Sequence, residues 1–276
     1  MKFATCNEPW KDVPVEEVFR RAKAMGYDGV EIAPFTLADD VREISAQRRK
    51  DIVKAAADAG VEIVGLHWLF VSPKGLHLTT PDASVRQRSA EYLRELVNFC
   101  GDLGGTVMIF GSPKQRNIEP PTTFDEGWER AKEVFASCAH VCRERGVTLT
   151  IEALAPKETN FINTIDEAAR MADEIGHSYI DIMLDMKAMS SMPEGILGNV
   201  RKYGARAKHF HANQPSGRGV GMPPAPEDPQ LNLAEILGAL RETGFKGWVS
   251  CEPFDYTPDP DTVARAQIEA LRAAVK

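Results

Sequence analysis

Short apolar runs alternate with longer amphipathic stretches along the whole chain. The runs are rich in β-branched and aliphatic residues, as in strands buried on both faces, and the stretches follow the helical period. The pattern predicts eight strands, at 3–6, 26–34, 61–70, 106–113, 147–151, 179–185, 205–214 and 247–254. It also predicts eight helices, at 13–25, 42–59, 84–103, 124–144, 164–175, 193–203, 231–243 and 261–275.

This regular alternation predicts an α/β fold, a single parallel (β/α)₈ TIM barrel. No shift in composition marks a second domain, so we expect one domain over residues 1–276. A doubly wound open sheet is the structural alternative. The sequence does not support it, because no glycine-rich phosphate-binding segment follows the first strand.

The composition is that of a protein with one large core, since 43% of the 276 residues are hydrophobic. The net charge of −7, with no block of like charges, argues against nucleic acid as the main partner. The first residues show no signal-peptide pattern, and no apolar run has membrane length. We therefore expect a cytoplasmic protein with no membrane partner.

The five cysteines are an odd number scattered along the chain, which indicates reduced thiols and not a disulfide framework. Cys138, His140 and Cys142 have the spacing of a possible metal cluster. On the predicted helix, however, position 140 faces away from the two cysteines. Buried structural thiols are the favoured interpretation.

Ionisable residues stand at the ends of most predicted strands, where a barrel places its working residues. They are Glu31, His67, Glu152, Asp185, His209, His211 and Glu252. The last four strands supply Glu152, Asp185, His211 and Glu252, which can converge at the barrel mouth. Three carboxylates crowded together would repel one another without a cation, so this set predicts one bound divalent metal ion. Oxygen-rich ligation with one nitrogen favours Mn²⁺, with Mg²⁺, Co²⁺ or Zn²⁺ as alternatives.

Each of these residues alone has a simpler explanation. Asp185 could cap the next helix, and His67 could be a hydrogen-bonded core residue. His209 and His211 are two residues apart and share one face of their strand. We expect one of them, His211, to bind the metal ion, and His209 to support it or to face the substrate.

Several segments resemble a known family. IEALAPKET, with Glu152 and Glu158, resembles the corresponding segment of the D-tagatose/D-psicose 3-epimerases. GYDGVEI, LHW, the HFH triplet and the final CEP resemble the wider superfamily of xylose isomerase-like barrels, and the resemblance covers essentially the whole chain. It implies a homo-oligomer, a dimer or tetramer, acting on a small carbohydrate. It also implies that Glu152, Asp185, His211 and Glu252 bind the metal ion.

The same resemblance assigns roles to three glutamates. Glu152 and Glu252 flank the substrate carbon that loses and regains a proton, and Glu158 holds substrate hydroxyls. Wider substrate contacts are expected from Glu158, His67, Trp68, Lys114, Gln115, His209 and Arg218. Among these, Lys114 and Gln115 lie in the loop GSPKQRN after the fourth predicted strand, which either contacts a polar substrate or forms a charged surface turn.

The sequence departs from the epimerase pattern at two positions. Ala188 stands where that family usually has a histidine, with Lys187 beside it. Gly217 stands where the family has an arginine, and Arg218 follows one residue later. These differences weaken the assignment of a free ketohexose as substrate, and Lys187 could instead face an acidic or modified sugar.

The predicted activity is proton abstraction next to a carbonyl, giving a sugar isomerase or epimerase that works through an enediolate. A dehydratase acting on an inosose or 3-oxo-sugar could use the same site, because fold and metal do not determine the product. An apurinic endonuclease would need further metal ligands and a basic surface. A protein that only binds sugar would not need all four ligands.

Overall fold

The computed structural model describes all residues from Met1 to Lys276. It contains nine strands: β1 (Lys2–Cys6), β2 (Gly29–Ile32), β3 (Glu62–Leu66), β4 (Val107–Phe110), β5 (Thr148–Ile151), β6 (Ile180–Ile182), β7 (Leu184–Asp185), β8 (His209–Ala212) and β9 (Trp248–Cys251). Ten α-helices accompany them: α1 (Val15–Met25), α2 (Ala46–Ala59), α3 (Ala83–Asp102), α4 (Phe124–Ala136), α5 (Ala139–Arg145), α6 (Ile165–Ile175), α7 (Met186–Met189), α8 (Gly195–Tyr203), α9 (Leu233–Glu242) and α10 (Pro260–Ala274). No helix is both long enough and apolar enough to cross a bilayer.

The strands form one parallel sheet in the order β6-β5-β4-β3-β2-β1-β9-β8-β7. The first strand pairs with both β2 and β9, with Ala4 opposite Gly29 on one side and Ser250 on the other. Pairing of the first strand with the last is what closes a barrel, and a doubly wound open sheet lacks it. The predicted α/β fold, a (β/α)₈ TIM barrel, is therefore confirmed, with nine parallel strands in a nearly closed barrel.

Two predicted elements are each divided in the structure. The sixth predicted strand is interrupted at Met183 and gives β6 and β7. The predicted helix 124–144 ends at Ala136 and resumes as α5, so the prediction of one continuous helix was wrong. At the break, the Ser137 hydroxyl donates to the carbonyl of Val134 and the Cys138 thiol to that of Phe135, and such local bonds compete with the helical ladder.

Helix ends follow the signals in the sequence. Thr164 caps α6 through a capping box with Glu167, as its position predicted. The carboxylate of Asp82 accepts bonds from two backbone N–H groups at the start of α3. α2 is followed by Gly60, whose φ of 76° belongs to the left-handed region that glycine adopts without strain.

Contacts divide the chain into two compact units. The first comprises residues 1–32, 52–64 and 183–276, and it contains β1, β2 and β7 to β9. The second comprises residues 33–51 and 65–182, and it contains β4 to β6. The single domain over 1–276 stays a prediction.

All five cysteines are buried, and none of them forms a disulfide in the structure. The sulfur atoms of Cys138 and Cys142 lie 3.9 Å apart, whereas His140 is exposed, as the helical spacing predicted. These three residues do not form a metal cluster.

Candidate active site and metal centre

Three of the four residues that were expected to bind a metal ion lie together in the first unit. They are Asp185, His211 and Glu252, which are buried and each offer one ligand atom within 4.8 Å of those of the other two. Glu152, the fourth, is a buried residue at the end of β5 in the second unit. Buried carboxylates in such a cluster need a compensating positive charge, so the chemistry of this donor set fits a divalent cation.

Strand register explains how residues distant in sequence reach one place. Asp185 is the last residue of β7 and lies opposite His211 of β8. His211 in turn lies opposite Ser250 of β9, two residues before Glu252. Parallel neighbours in register carry their carboxyl-terminal residues to the same end of the sheet, so these three side chains share one edge.

His211 is held from two sides. Its Nε2 lies 3.2 Å from Oε1 of Glu31, and its Nδ1 lies 3.0 Å from Oε2 of Glu252. An ionised carboxylate only accepts hydrogen bonds, so the nitrogen facing Glu31 carries the ring proton. In the neutral ring the lone pair of Nδ1 would then meet a carboxylate oxygen, and this repulsion is removed either by a second ring proton or by a bound cation. This contact is a second sign that the site fits a metal ion.

Asp185 combines the two roles that its sequence position suggested. Its Oδ1 accepts a hydrogen bond of 2.6 Å from the N–H of Ala188, which caps α7. Its Oδ2 accepts a bond of 3.0 Å from the side-chain amide of Asn213, which also donates to the carbonyl of Glu252. Asn213 thus orients two candidate ligands, and sequence reasoning assigned it no role although it lies two residues after the HFH triplet.

Glu152 lies directly after β5, where its side chain packs on Gly111. A Cβ atom at position 111 would lie 1.8 Å from Oε2 of Glu152, so only glycine leaves room for this carboxylate. The neighbouring Arg116 donates to the backbone carbonyls of Glu152, at 2.6 Å, and of Ser112 and Phe110. Burial of its guanidinium lowers the pKa of Arg116 to about 10, although the negative charges of Glu152 and Glu158 raise it.

Arg116 is therefore a clamp between the ends of β4 and β5. The sequence placed it in a loop of cations at the barrel mouth, and the structure turns it inward. Lys114 of the same loop is exposed, and Gln115 accepts a backbone bond of 2.8 Å from Leu78. The substrate contacts predicted for Lys114 and Gln115 stay predictions.

The other expected substrate contacts occupy varied surroundings. Oε2 of Glu158 accepts a bond of 3.3 Å from the N–H of Ala155, within its own loop. His67 is buried directly after β3. Trp68 follows it with φ 52°, a left-handed conformation that costs a non-glycine residue about 1 kcal/mol or more and that gathers at functional sites.

Arg218, which was expected to replace a family arginine, forms an ion pair with Asp255 at 3.3 Å. It also donates to the carbonyl of Pro223. The ammonium group of Lys187 lies 5.0 Å from the ring centre of Phe254, which is 41% exposed. Arg218 and Lys187 thus both contact other side chains of the protein.

His209 has a definite partner that sequence reasoning did not assign. Its Nε2 lies 2.8 Å from Oε2 of Glu31, the same carboxylate that contacts His211. All three side chains are fully buried. Glu31 was recognised as an ionisable strand end, but nothing in the sequence linked it to residues almost two hundred positions later.

Comparison with known proteins agrees with the barrel fold. Residues 19–274 match the model of the xylose isomerase-like TIM barrel family. The chain belongs to this family.

Its relatives include sugar epimerases at low identity. Fructoselysine 3-epimerase of Shigella flexneri is 22% identical over 273 residues, covering 98% of this chain and 95% of the relative. D-psicose 3-epimerase of Enterocloster bolteae is 24% identical over 254 residues, covering 91% and 80%. The crystal structure of D-psicose 3-epimerase with D-tagatose from Clostridium cellulolyticum H10 has a TM-score of 0.84 at 20% identity, with both chains covered completely. This structural likeness concerns the fold.

Proposed function

We propose that this protein is a divalent-metal-dependent sugar isomerase or epimerase that abstracts a proton next to a carbonyl group. The observation that carries the proposal is the buried group of Asp185, His211 and Glu252, and we propose Glu152 as the fourth ligand. Epimerases of fructoselysine and D-psicose among the relatives support it. The substrate class we propose is a ketose or a related sugar.

A bound divalent cation would supply Lewis-acid polarisation of the substrate carbonyl and balance the negative charge that develops on its oxygen. Mn²⁺ is the ion we propose, because the set offers carboxylate oxygens and one imidazole nitrogen and no thiolate.

The protein's own residues move the proton. Glu152 and Glu252 directly follow strands β5 and β9, and we propose that they flank the reacting carbon of the substrate. One carboxylate removes the proton next to the carbonyl, and the other returns a proton from the opposite face, which inverts the carbon. Gly111 leaves room for the first carboxylate, and the amide of Asn213 holds the backbone carbonyl of the second.

Deuterium exchange tests this function directly. The Mn²⁺-loaded protein is incubated in D₂O with ketoses, aldoses, inososes and 3-oxo-sugars, the products are separated from the protein and metal ion, and NMR follows each carbon-bound proton. We expect deuterium at one carbon next to a carbonyl, and the configuration of the product then distinguishes epimerisation from isomerisation. Loss of water from the substrate would identify a dehydratase. No exchange with metal bound would refute the proposal for these substrates.

Substitution of the second glutamate tests the mechanism. We expect Glu252→Gln to keep the fold and to lower exchange by about 10²-fold or more, because an amide cannot remove a proton. Glu242→Gln, on the exposed end of α9, is the matched control and should exchange like wild type. A fully active Glu252→Gln protein would exclude the mechanism with two glutamates.

A further inference from the structure

A buried carboxylate lies between two histidines of one strand. Glu31 is on β2, and His209 and His211 are on β8. Oε2 of Glu31 lies 2.8 Å from Nε2 of His209, and Oε1 lies 3.2 Å from Nε2 of His211. None of the three side chains is exposed to solvent.

Such a buried arrangement is costly unless each group has a partner. An ionised carboxylate away from water costs several kcal/mol if its oxygens lack donors, and the two imidazole N–H groups supply them. Apolar side chains would fill this space without that cost. The position of these three polar groups beside the candidate metal ligands points to a role in that site.

The geometry also selects one tautomer for each ring. Since Glu31 can only accept, Nε2 carries the proton in both histidines. The two rings stand edge to face, with centroids 4.9 Å apart and an interplanar angle of 85°, so each restricts rotation of the other. Nδ1 of His211 is thereby directed to Oε2 of Glu252, at 3.0 Å.

We propose that Glu31 is a positioning residue: it fixes the ring of His211 so that Nδ1 is presented as the metal ligand, and His209 holds Glu31 in place. The proposal rests on the proposed function, because it presumes that Glu152, Asp185, His211 and Glu252 hold the ion. A hydrogen bond from a ligating imidazole to a carboxylate sets both the orientation and the basicity of the ring.

A different role for the same atoms is that of ligands. Glu31, His209 and His211 also lie close enough to hold an ion themselves. The distances of 2.8 and 3.2 Å between Glu31 and the rings are those of hydrogen bonds, and a shared proton explains each of them. We therefore expect one ion per chain, and not two.

Metal affinity of variants tests the positioning role. Mn²⁺ binding is measured by electron paramagnetic resonance and by calorimetry in wild type, Glu31→Gln and the exposed control Glu242→Gln. Wild type and control should bind one Mn²⁺ per chain with equal affinity. Glu31→Gln should bind about 10- to 100-fold more weakly, because its amide can no longer accept from both rings.

The possible results separate the two proposals. A wild-type protein that binds no Mn²⁺ would overturn the proposed function. A wild type that binds one ion, with Glu31→Gln of equal affinity, would overturn the positioning role alone. Two ions per wild-type chain would make Glu31 a metal ligand, and this result would also overturn the positioning role.

Nitrogen NMR of the Mg²⁺-loaded wild type gives a readout that needs no variant. With ¹⁵N-labelled histidine, we expect a protonated Nε2 in both His209 and His211, with Nδ1 of His211 shifted by the ion. A protonated Nδ1 in His211, with Nε2 shifted by the ion, would overturn the proposal. This measurement is decisive even if Glu31→Gln fails to fold.

Discussion

Replacement of Arg116 by methionine tests whether the buried clamp stabilises the barrel. Arg116 is 1% exposed and donates to the carbonyls of Glu152, Ser112 and Phe110. Its guanidinium carbon also lies 5.2 Å from the ring centre of Phe110. Methionine fills similar space but leaves these three carbonyls without their donor.

The size of the effect follows from two opposing terms. A hydrogen bond to a charged group contributes about 1.5–3 kcal/mol, so three of them contribute roughly 5–9 kcal/mol. Burial lowers the pKa of Arg116 from 12.5 to about 10. At about 1.4 kcal/mol for each pKa unit, this shift means that burial of the charge costs roughly 3 kcal/mol, a cost that methionine does not have. We expect Arg116→Met to lower the free energy of unfolding by about 2–6 kcal/mol.

Urea unfolding followed by circular dichroism at pH 7 measures this difference. Arg20→Met is the matched control, because the Arg20 side chain is 63% exposed and pairs with Glu17 on the surface of α1. It should change stability by less than about 1 kcal/mol. An Arg116→Met protein as stable as wild type, or more stable, would show that the desolvation of the guanidinium outweighs its hydrogen bonds, and our reasoning would be wrong.

Two further predictions concern space and pH. Gly111→Ala should displace the carboxylate of Glu152 and weaken Mn²⁺ binding at least tenfold, since the added Cβ would lie 1.8 Å from Oε2. The control is Gly238→Ala in α9, where a Cβ meets nothing within 4 Å; it should bind Mn²⁺ normally and gain up to about 1 kcal/mol of stability. Equal Mn²⁺ binding by the two variants would contradict the steric argument. The indole N–H of Trp128 donates to Glu174 at 2.8 Å and is the main reason why the pKa of Glu174 is lowered from 4.5 to about 2. A lowered carboxyl pKa stabilises the fold above pH 4.5, and this stabilisation is lost as the pH falls towards 2. In urea titrations at several pH values, wild type should therefore lose more stability over this range than Glu174→Gln. Parallel curves for the two proteins would refute the lowered pKa of Glu174.

Much of the fold could be predicted from the chain alone, because its strands are buried on both faces. Such strands must be continuous apolar runs, so an ionisable residue at the end of one is conspicuous. Glu152 after β5 and Glu252 after β9 were found in this way. The capping box of Thr164 was predictable for a similar reason, since both of its partners lie within four residues.

Breaks within elements could not be predicted with the same certainty. The pattern of 124–144 has helical periodicity throughout, and nothing in it marks the bonds from Ser137 and Cys138 that end α4. The division of the sixth predicted strand at Met183 was also missed, because the run is apolar on both sides of it. In the helix, local propensity favours continuation, and specific side-chain bonds override it.

The sequence by itself determined the alternation of strands and helices and the identity of the four candidate ligands. Only the tertiary structure decided which way each polar side chain turns: Glu31 to two histidines, Arg116 inward to three carbonyls and Arg218 to Asp255. The physical reason is the range of the interactions. Burial of apolar runs is written in neighbouring residues, whereas the partner of a buried charge can lie anywhere in the chain and is fixed only when the folded backbone brings the two together.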